Sequence, residues 1–195
     1  MAAPDSNDLP VAMSRPHLRA IPEFPFPAGY GVRALLPEEG PLWTEIQRDT
    51  ERILPITDRT FDEQFGDDWE DIPQRCFFIV REDGFAVGAI SAWYGRDAGG
   101  GDFGRIHWFA IRPAFQGRGL ARPALSYALQ RLAQWHQRAW HTTSSSRLPA
   151  LKLYLDYGFI PDFDQPRAWE AWPQVQTYLA HPALEAILRQ PPHVT

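Results

Sequence analysis

The stretch Gln116-Gly-Arg-Gly-Leu-Ala121 puts two glycines one residue apart at the opening of an amphipathic run. A helix start leaves backbone N–H groups unpaired and carries partial positive charge. Glycine lets a ligand approach that backbone closely and lets the loop take positive φ. A strand, a glycine-rich turn and a helix N-terminus together form a general anion cradle. Arg112, Arg118 and Arg122 add full charges around it, which points to a phosphate or pyrophosphate. A dinucleotide fingerprint would need a third glycine at position 122, which is Arg. It would also need an acidic residue about 20 positions on, where Trp140-His-Thr-Thr stands. A P-loop would need Gly-Lys followed by Ser or Thr, which the stretch lacks. A tight turn with close helix–strand packing would use the same two glycines, so the residues alone leave both readings open.

A strand over Arg105–Ile111 must deliver the chain to this loop. Along an extended strand residues 105, 107, 109 and 111 share a face. That places His107 beside Phe109, and an imidazole of ordinary pKa, about 6.5, is suited to taking a proton. The helix predicted after the loop runs from Leu120 to about Arg138, with Ala121, Leu125, Ala128, Leu129, Leu132 and Ala133 on one stripe. Pro123 falls in its first turn, where a missing N–H costs nothing.

Upstream, Tyr30–Leu36 alternates as a strand, and Glu38–Leu54 reads as a helix. Phe61–Pro73 is an acidic, aromatic connection. Cys76–Arg81 and Phe85–Tyr94 form a hairpin across Glu-Asp-Gly. Residues 95–104 are a flexible loop by composition. Downstream come a strand over Ala139–Thr143, a helix over Leu148–Tyr157 stopped at Gly158, and a strand over Phe159–Phe163. Residues 1–27 read as a flexible arm, rich in Pro and polar residues. The main domain spans 28–172, and 173–195 is a helical tail broken at Pro182, packed on the domain or on a partner subunit. The order of elements gives an α/β fold with a mixed sheet.

The 195 residues suit one domain with a sizeable core, 44% apolar and 22% charged. A net charge of -5 gives no overall footprint for nucleic acid, and no basic patch suits RNA. Cys76 is the single cysteine, so an intrachain disulfide framework is excluded. No apolar run is long enough to span a bilayer, and the first residues lack a secretion signal, so a cytoplasmic protein is expected. His17, His136, His141, His181 and His193 form no metal spacing, and no metal is expected. Ser144-Ser-Ser146 has no nucleophile-elbow pattern and reads as helix capping or loop contacts.

Gln116, Gly119 and Ala121 fill a pattern of Gln or Arg, two free positions, Gly, one free position, then Gly or Ala. The chain thereby resembles the GNAT superfamily of N-acetyltransferases at its acyl-CoA pyrophosphate loop. Ile106–Pro113 matches the family's strand into that loop, and Ala150–Phe159, with Leu-Tyr before Gly-Phe, matches its following helix. The likeness covers about Tyr30 to Phe163. It implies a mixed, mostly antiparallel sheet with helices on both faces. It also implies acetyl-CoA as co-substrate, held by Phe109, Ala110, Ile111, Gln116, Gly117, Arg118, Gly119, Leu120, Ala121 and Arg122. The Phe109 N–H is the implied oxyanion donor.

Tyr154 stands where the family places its usual acid, and a phenol of pKa about 10 carries a proton at neutral pH. His107 is the candidate base; other members use a glutamate near position 105, which is Arg here. The family often has Asn seven residues before the tyrosine, where this chain has Arg147, an arginine able to meet phosphate. The implied reaction is direct transfer to an amine, most simply a small molecule, in a ternary complex. A non-catalytic acyl-CoA sensor or scaffold, or acetylation of a protein N-terminus or lysine, are the alternatives. The acidic segment 61–73 would draw a cationic acceptor, and the apolar tail would allow a homodimer.

Overall fold

The computed structural model describes residues 8–94 and 103–189; most of the glycine-rich 95–104 stretch lies outside them. Seven strands form one sheet: β1 (Pro10–Arg15), β2 (Tyr30–Ala34), β3 (Cys76–Arg81), β4 (Ala86–Tyr94), β5 (Phe103–Ile111), β6 (Arg138–Ser144) and β7 (Ile160–Pro161). Their order is β2-β3-β4-β5-β6-β1-β7. Every pair is antiparallel except β5 with β6. The α/β, mixed and mostly antiparallel architecture is therefore as expected.

Helices cover both faces. One face carries α1 (Gly40–Thr50), α2 (Thr60–Phe65) and α3 (Ile72–Arg75). Trp43, Ile46, Phe61, Phe65 and Ile72 bury there against Cys76, Phe78, Ala89 and Ala110 of the sheet. The other face carries α4 (Ala121–Leu132), α5 (Leu148–Asp156), α6 (Ala168–Leu179) and α7 (Pro182–Arg189). Leu125, Leu129, Leu151, Leu155 and Trp172 pack there on Phe77, Ile79, Ile90, Ile106 and Met13. The acidic 61–73 segment thus supplies two short helices rather than an open connection.

The N-terminal expectation needs correction. Residues 10–15 are not an arm: β1 pairs along all six positions with β6 and takes a place between β6 and β7. Leu9, Val11 and Met13 alternate into the core, and Pro10 is tolerated because it is the first residue of the strand. Residues 21–27 then run along α4, where the Pro22 carbonyl accepts from Ser126 Oγ at 2.7 Å. No boundary falls at 172/173 either, since α6 is continuous through Pro173 and buries Ala168, Ala171, Trp172 and Val175 in the shared core. Leu184 of α7 joins them, so the described tail packs on its own domain.

Candidate active site

The site lies where the sheet opens. The parallel pairing of β5 with β6 runs only over Phe103↔Arg138, Gly104↔Ala139 and Arg105↔Trp140. Beyond Arg105 the β6-facing edge of β5 has no strand partner among the described residues. On its other edge β5 keeps its pairing with β4 as far as Gly88↔Ile111. Ala110 turns its carbonyl toward β4, 2.5 Å from where a Cβ on Gly88 would stand, so only glycine fits there. Backbone groups alternate sides along a strand. The C=O of Phe109 therefore faces the gap.

A bulge shapes this wall. Ala89↔Ala110 and Ser91↔His107 leave one extra residue on β5, and Trp108 takes φ 48°. An inserted residue reverses the alternation. His107 accordingly packs with Phe65 at 5.6 Å and Trp108 at 5.9 Å, on the α1–α2 face. Phe109 and Ile111 turn to the α4–α5 face. The expected shared face of His107 and Phe109 is thus overturned, because strict two-residue periodicity fails at Trp108. Gln64 accepts from the Trp108 indole at 2.9 Å, and Gln47 Nε2 donates to the Trp108 carbonyl at 3.3 Å, which pins the bulge.

The glycine loop follows β5. After the turn Pro113–Phe115, Gly117 takes φ +74° and Gly119 φ +79°, conformations that L side chains rarely adopt. Gln116 Nε2 donates to the Ile111 carbonyl at 2.9 Å, so this side chain braces the loop to the strand. Among the described residues, no acceptor meets the backbone N–H groups of Gly117, Arg118, Gly119 or Leu120, and no side chain caps α4. Nothing lies within 4 Å of a Cβ built on Gly117. Alternating positive-φ residues with free amides at a helix start form an anion-binding concavity. Arg118 lies over Phe115 and Arg122 over Phe24, so both guanidiniums flank the loop from its surface. Ala121 and Arg122 open the helix itself.

Two arginines are committed elsewhere. Arg112 is buried and pairs with Glu45 at 2.8 Å and with Asp49, tying β5 to α1 rather than charging the cradle. Arg147 grips both carboxylate oxygens of Glu51 at 2.6 and 2.7 Å. Burial would raise the Glu51 pKa, but Arg147 and the amides of Ile53 and Leu54 hold it below the usual value. This clasp joins the end of α1 to the start of α5. Sequence reasoning missed Glu51, because its partner is far away in the chain.

Tyr154 on α5 and Tyr157 at its C-terminal cap are used differently. The Tyr157 hydroxyl lies 2.8 Å from Ser126 Oγ and donates to the Arg122 carbonyl at 2.7 Å, locking the end of α5 to the first turn of α4. The Tyr154 hydroxyl has no hydrogen-bond partner among the described residues. Its ring is 6% exposed and burial pushes its pKa above the tyrosine value, so it keeps its proton. His107 is driven the other way: burial, then the Arg105 charge, lowers it well below 6.5, so it is neutral near pH 7.

Cys76 is fully buried and its thiol is pushed up to about 12 by burial. Among the described residues, no group of three or more His, Cys, Asp or Glu is placed to hold a metal. No helix among them is long and apolar enough to cross a membrane. A cavity of about 340 Å³ beside Leu18 and Arg138 holds none of the site residues.

Residues 42–159 match the acetyltransferase (GNAT) family model. The chain belongs to the GNAT family. Solved GNAT structures share its fold. A GCN5-related N-acetyltransferase from Sphaerobacter thermophilus is 19% identical with a TM-score of 0.66, over 80% of this chain and 48% of that one. A GNAT acetyltransferase from Colwellia psychrerythraea is 12% identical with a TM-score of 0.61, over 80% and 54%. The ribosomal-protein-S18-alanine N-acetyltransferase from Escherichia coli is 18% identical with a TM-score of 0.55, over 67% and 77%. The match thus spans about half the length of the first of these chains. A comparison with curated proteins returned no match.

Proposed function

We propose that this GNAT protein moves an acetyl group from acetyl-CoA to an amine, a small molecule by preference, by direct transfer in a ternary complex. The observation that carries the reading is the row of unpartnered amides at Gly117–Leu120, set beside the open edge of β5. Four free N–H donors and a helix start suit a diphosphate. Arg118 and Arg122 add charge at its rim, while Gln116 keeps the loop in register. Phe109 and Ile111 line the gap, where the Ile111 carbonyl is taken by Gln116 and the remaining backbone groups of this edge can bond an extended amide arm. The fit is good, and acetyl-CoA would supply the activated thioester.

The chain's own residues divide the proton work. Tyr154 retains a proton and has an uncommitted hydroxyl, as an acid for a departing thiolate must. His107 is neutral and stands on the opposite face, so it can accept a proton from an amine arriving from the α1–α2 side. The Phe109 N–H is the oxyanion donor in this reading. The carboxylates of α2 and its flanks, including Asp62, Asp67 and Asp71, favour a cationic acceptor on that side.

The test is calorimetric titration with acetyl-CoA, followed by thiol release with a panel of small amines and of peptides. Micromolar binding and amine-dependent thiol release are expected. Binding without release on any acceptor would favour a sensor, and release with peptides alone would mark a protein acetyltransferase.

A further inference from the structure

A buried histidine on the α4–α5 face has no task in the reading above. His141 lies on β6 one residue past Trp140, the last position paired with β5. It is 1% exposed. Its ring centroid is 3.6 Å from that of Tyr154, with the planes 31° apart. Phe159 closes the edge at 5.2 Å and 75°, and itself meets Tyr154 at 5.3 Å. The three rings form one packed unit at the mouth of the β5–β6 gap.

The choice of an imidazole here is costly. Its Nε2 is buried and has no hydrogen-bond partner among the described residues. An unpaired buried polar atom costs free energy, and a phenylalanine would stack on Tyr154 without that cost. The imidazole also feels the Thr142 backbone, which raises its pKa against the larger effect of burial. The rings of Tyr154 and Phe159, with centroids at 3.6 and 5.2 Å, hold its plane. Burial holds the ring neutral, with its pKa down to about 3, so it does not charge over the working pH range.

We propose that His141 is a positioning residue for Tyr154: its pinned imidazole plane sets the plane of the phenol, and so the place of the hydroxyl beside the gap. The proposal rests on Tyr154 as the acid of the transfer reaction. A ring displaced by 1 Å can cost about 100-fold in rate, so loss of the pin lowers turnover while leaving the distant phosphate cradle intact.

The test is a double-mutant cycle of His141→Phe and Tyr154→Phe, read as kcat and as KM for acetyl-CoA. His141→Phe should lower kcat about 10- to 100-fold with KM within about twofold, and should have no further effect once Tyr154 is Phe. The same loss in both backgrounds, or no loss, overturns the proposal. His141→Asn, smaller and polar but without a ring to pack on Tyr154, serves if the phenylalanine variant does not fold. Carbon-13 tyrosine labelling of the free protein gives a second readout independent of any acceptor. The Tyr154 ring signal, assigned by its absence from Tyr154→Phe, should shift and broaden in either His141 variant while that of Tyr157 stays. An unmoved Tyr154 signal overturns the proposal. Failure of the acetyl-transfer reading shows separately, as a wild-type protein that releases no thiol with any amine.

Discussion

On the α4–α5 face of the sheet the site is built from backbone with one phenol, Tyr154, and on the α1–α2 face from side chains. The first presents the free amides of Gly117–Leu120 and the open edge of β5. The second presents Trp43, Phe61, Phe65, Trp93, Trp108 and His107, with neighbouring ring centroids 4.9–5.9 Å apart. A backbone site binds one chemical pattern and tolerates many side chains around it. A side-chain site is also a core, so changes in specificity and in stability are inseparable there. The two faces should therefore fail differently when broken.

The largest loss is expected on the aromatic face. Phe65 is 4% exposed and touches Trp43, Phe61, Trp93 and His107. Phe65→Ala should cost about 4 kcal/mol of stability in urea unfolding, from lost burial plus the cavity left behind. It should also let water reach His107 and return its pKa toward 6.5, visible as a downfield shift of its ring protons between pH 5 and 7. Full stability in this variant would show that the cluster is not a core.

Next come the two tyrosines, which sharpen the comparison along α5 and its cap. Tyr154→Phe should lower kcat about 100- to 1000-fold with acetyl-CoA affinity unchanged, the usual range for a lost general acid. Tyr157→Phe should leave kcat within about twofold and cost about 1 kcal/mol, the net worth of its hydroxyl contacts to Ser126 and Arg122. Equal kinetic effects in the two variants would remove the distinction.

The cradle should break by affinity rather than by folding. At Gly119 a Cβ would meet only Pro27 Cγ, at 3.8 Å, so there is room for a side chain. The cost of Gly119→Asp comes instead from φ +79°, about 1–2 kcal/mol for a residue with a Cβ, and from a carboxylate set among anion-binding amides. Acetyl-CoA binding should weaken about 100-fold by calorimetry, with Gly119→Ala about tenfold. Unchanged affinity in the aspartate variant would sink the phosphate role of the loop.

These contrasts explain what was legible in the sequence. The loop's backbone conformation could be read because positive φ leaves a residue-level trace, and the place of Tyr154 on α5 because it sits at a fixed offset from Gly158. Strand β1 was hidden by Pro10, which interrupts the pattern although its missing N–H is harmless at a strand start. The side of His107 was misread because the bulge at Trp108 is held by Gln47 and Gln64, 61 and 44 residues away. Arg112 looked like a phosphate ligand, and only the fold reveals that Glu45 and Asp49 claim it. Local conformation leaves a signature in sequence, whereas an ion pair between distant elements does not.

The smallest effect concerns the clasp between the two faces. Glu51 is held by Arg147 and caps the amides of Arg52, Ile53 and Leu54. Its folded pKa is below the unfolded value of 4.5. The carboxylate therefore contributes stability above about pH 4.5, and this is lost as pH falls through the lower folded value. Because Arg147 is 39% exposed, solvent screens the pair, and Glu51→Gln should cost only about 1 kcal/mol at pH 7. The loss should vanish in acid, where both proteins carry a neutral side chain. Melting curves from pH 7 to pH 3 should therefore converge for wild type and variant. A constant gap at all pH values would mean that the 51–54 turn is held by shape alone, and that Arg147 is not bound to Glu51 by charge. A freed guanidinium at the start of α5 would then be available to an anionic ligand, which ties this ion pair to the backbone face it borders.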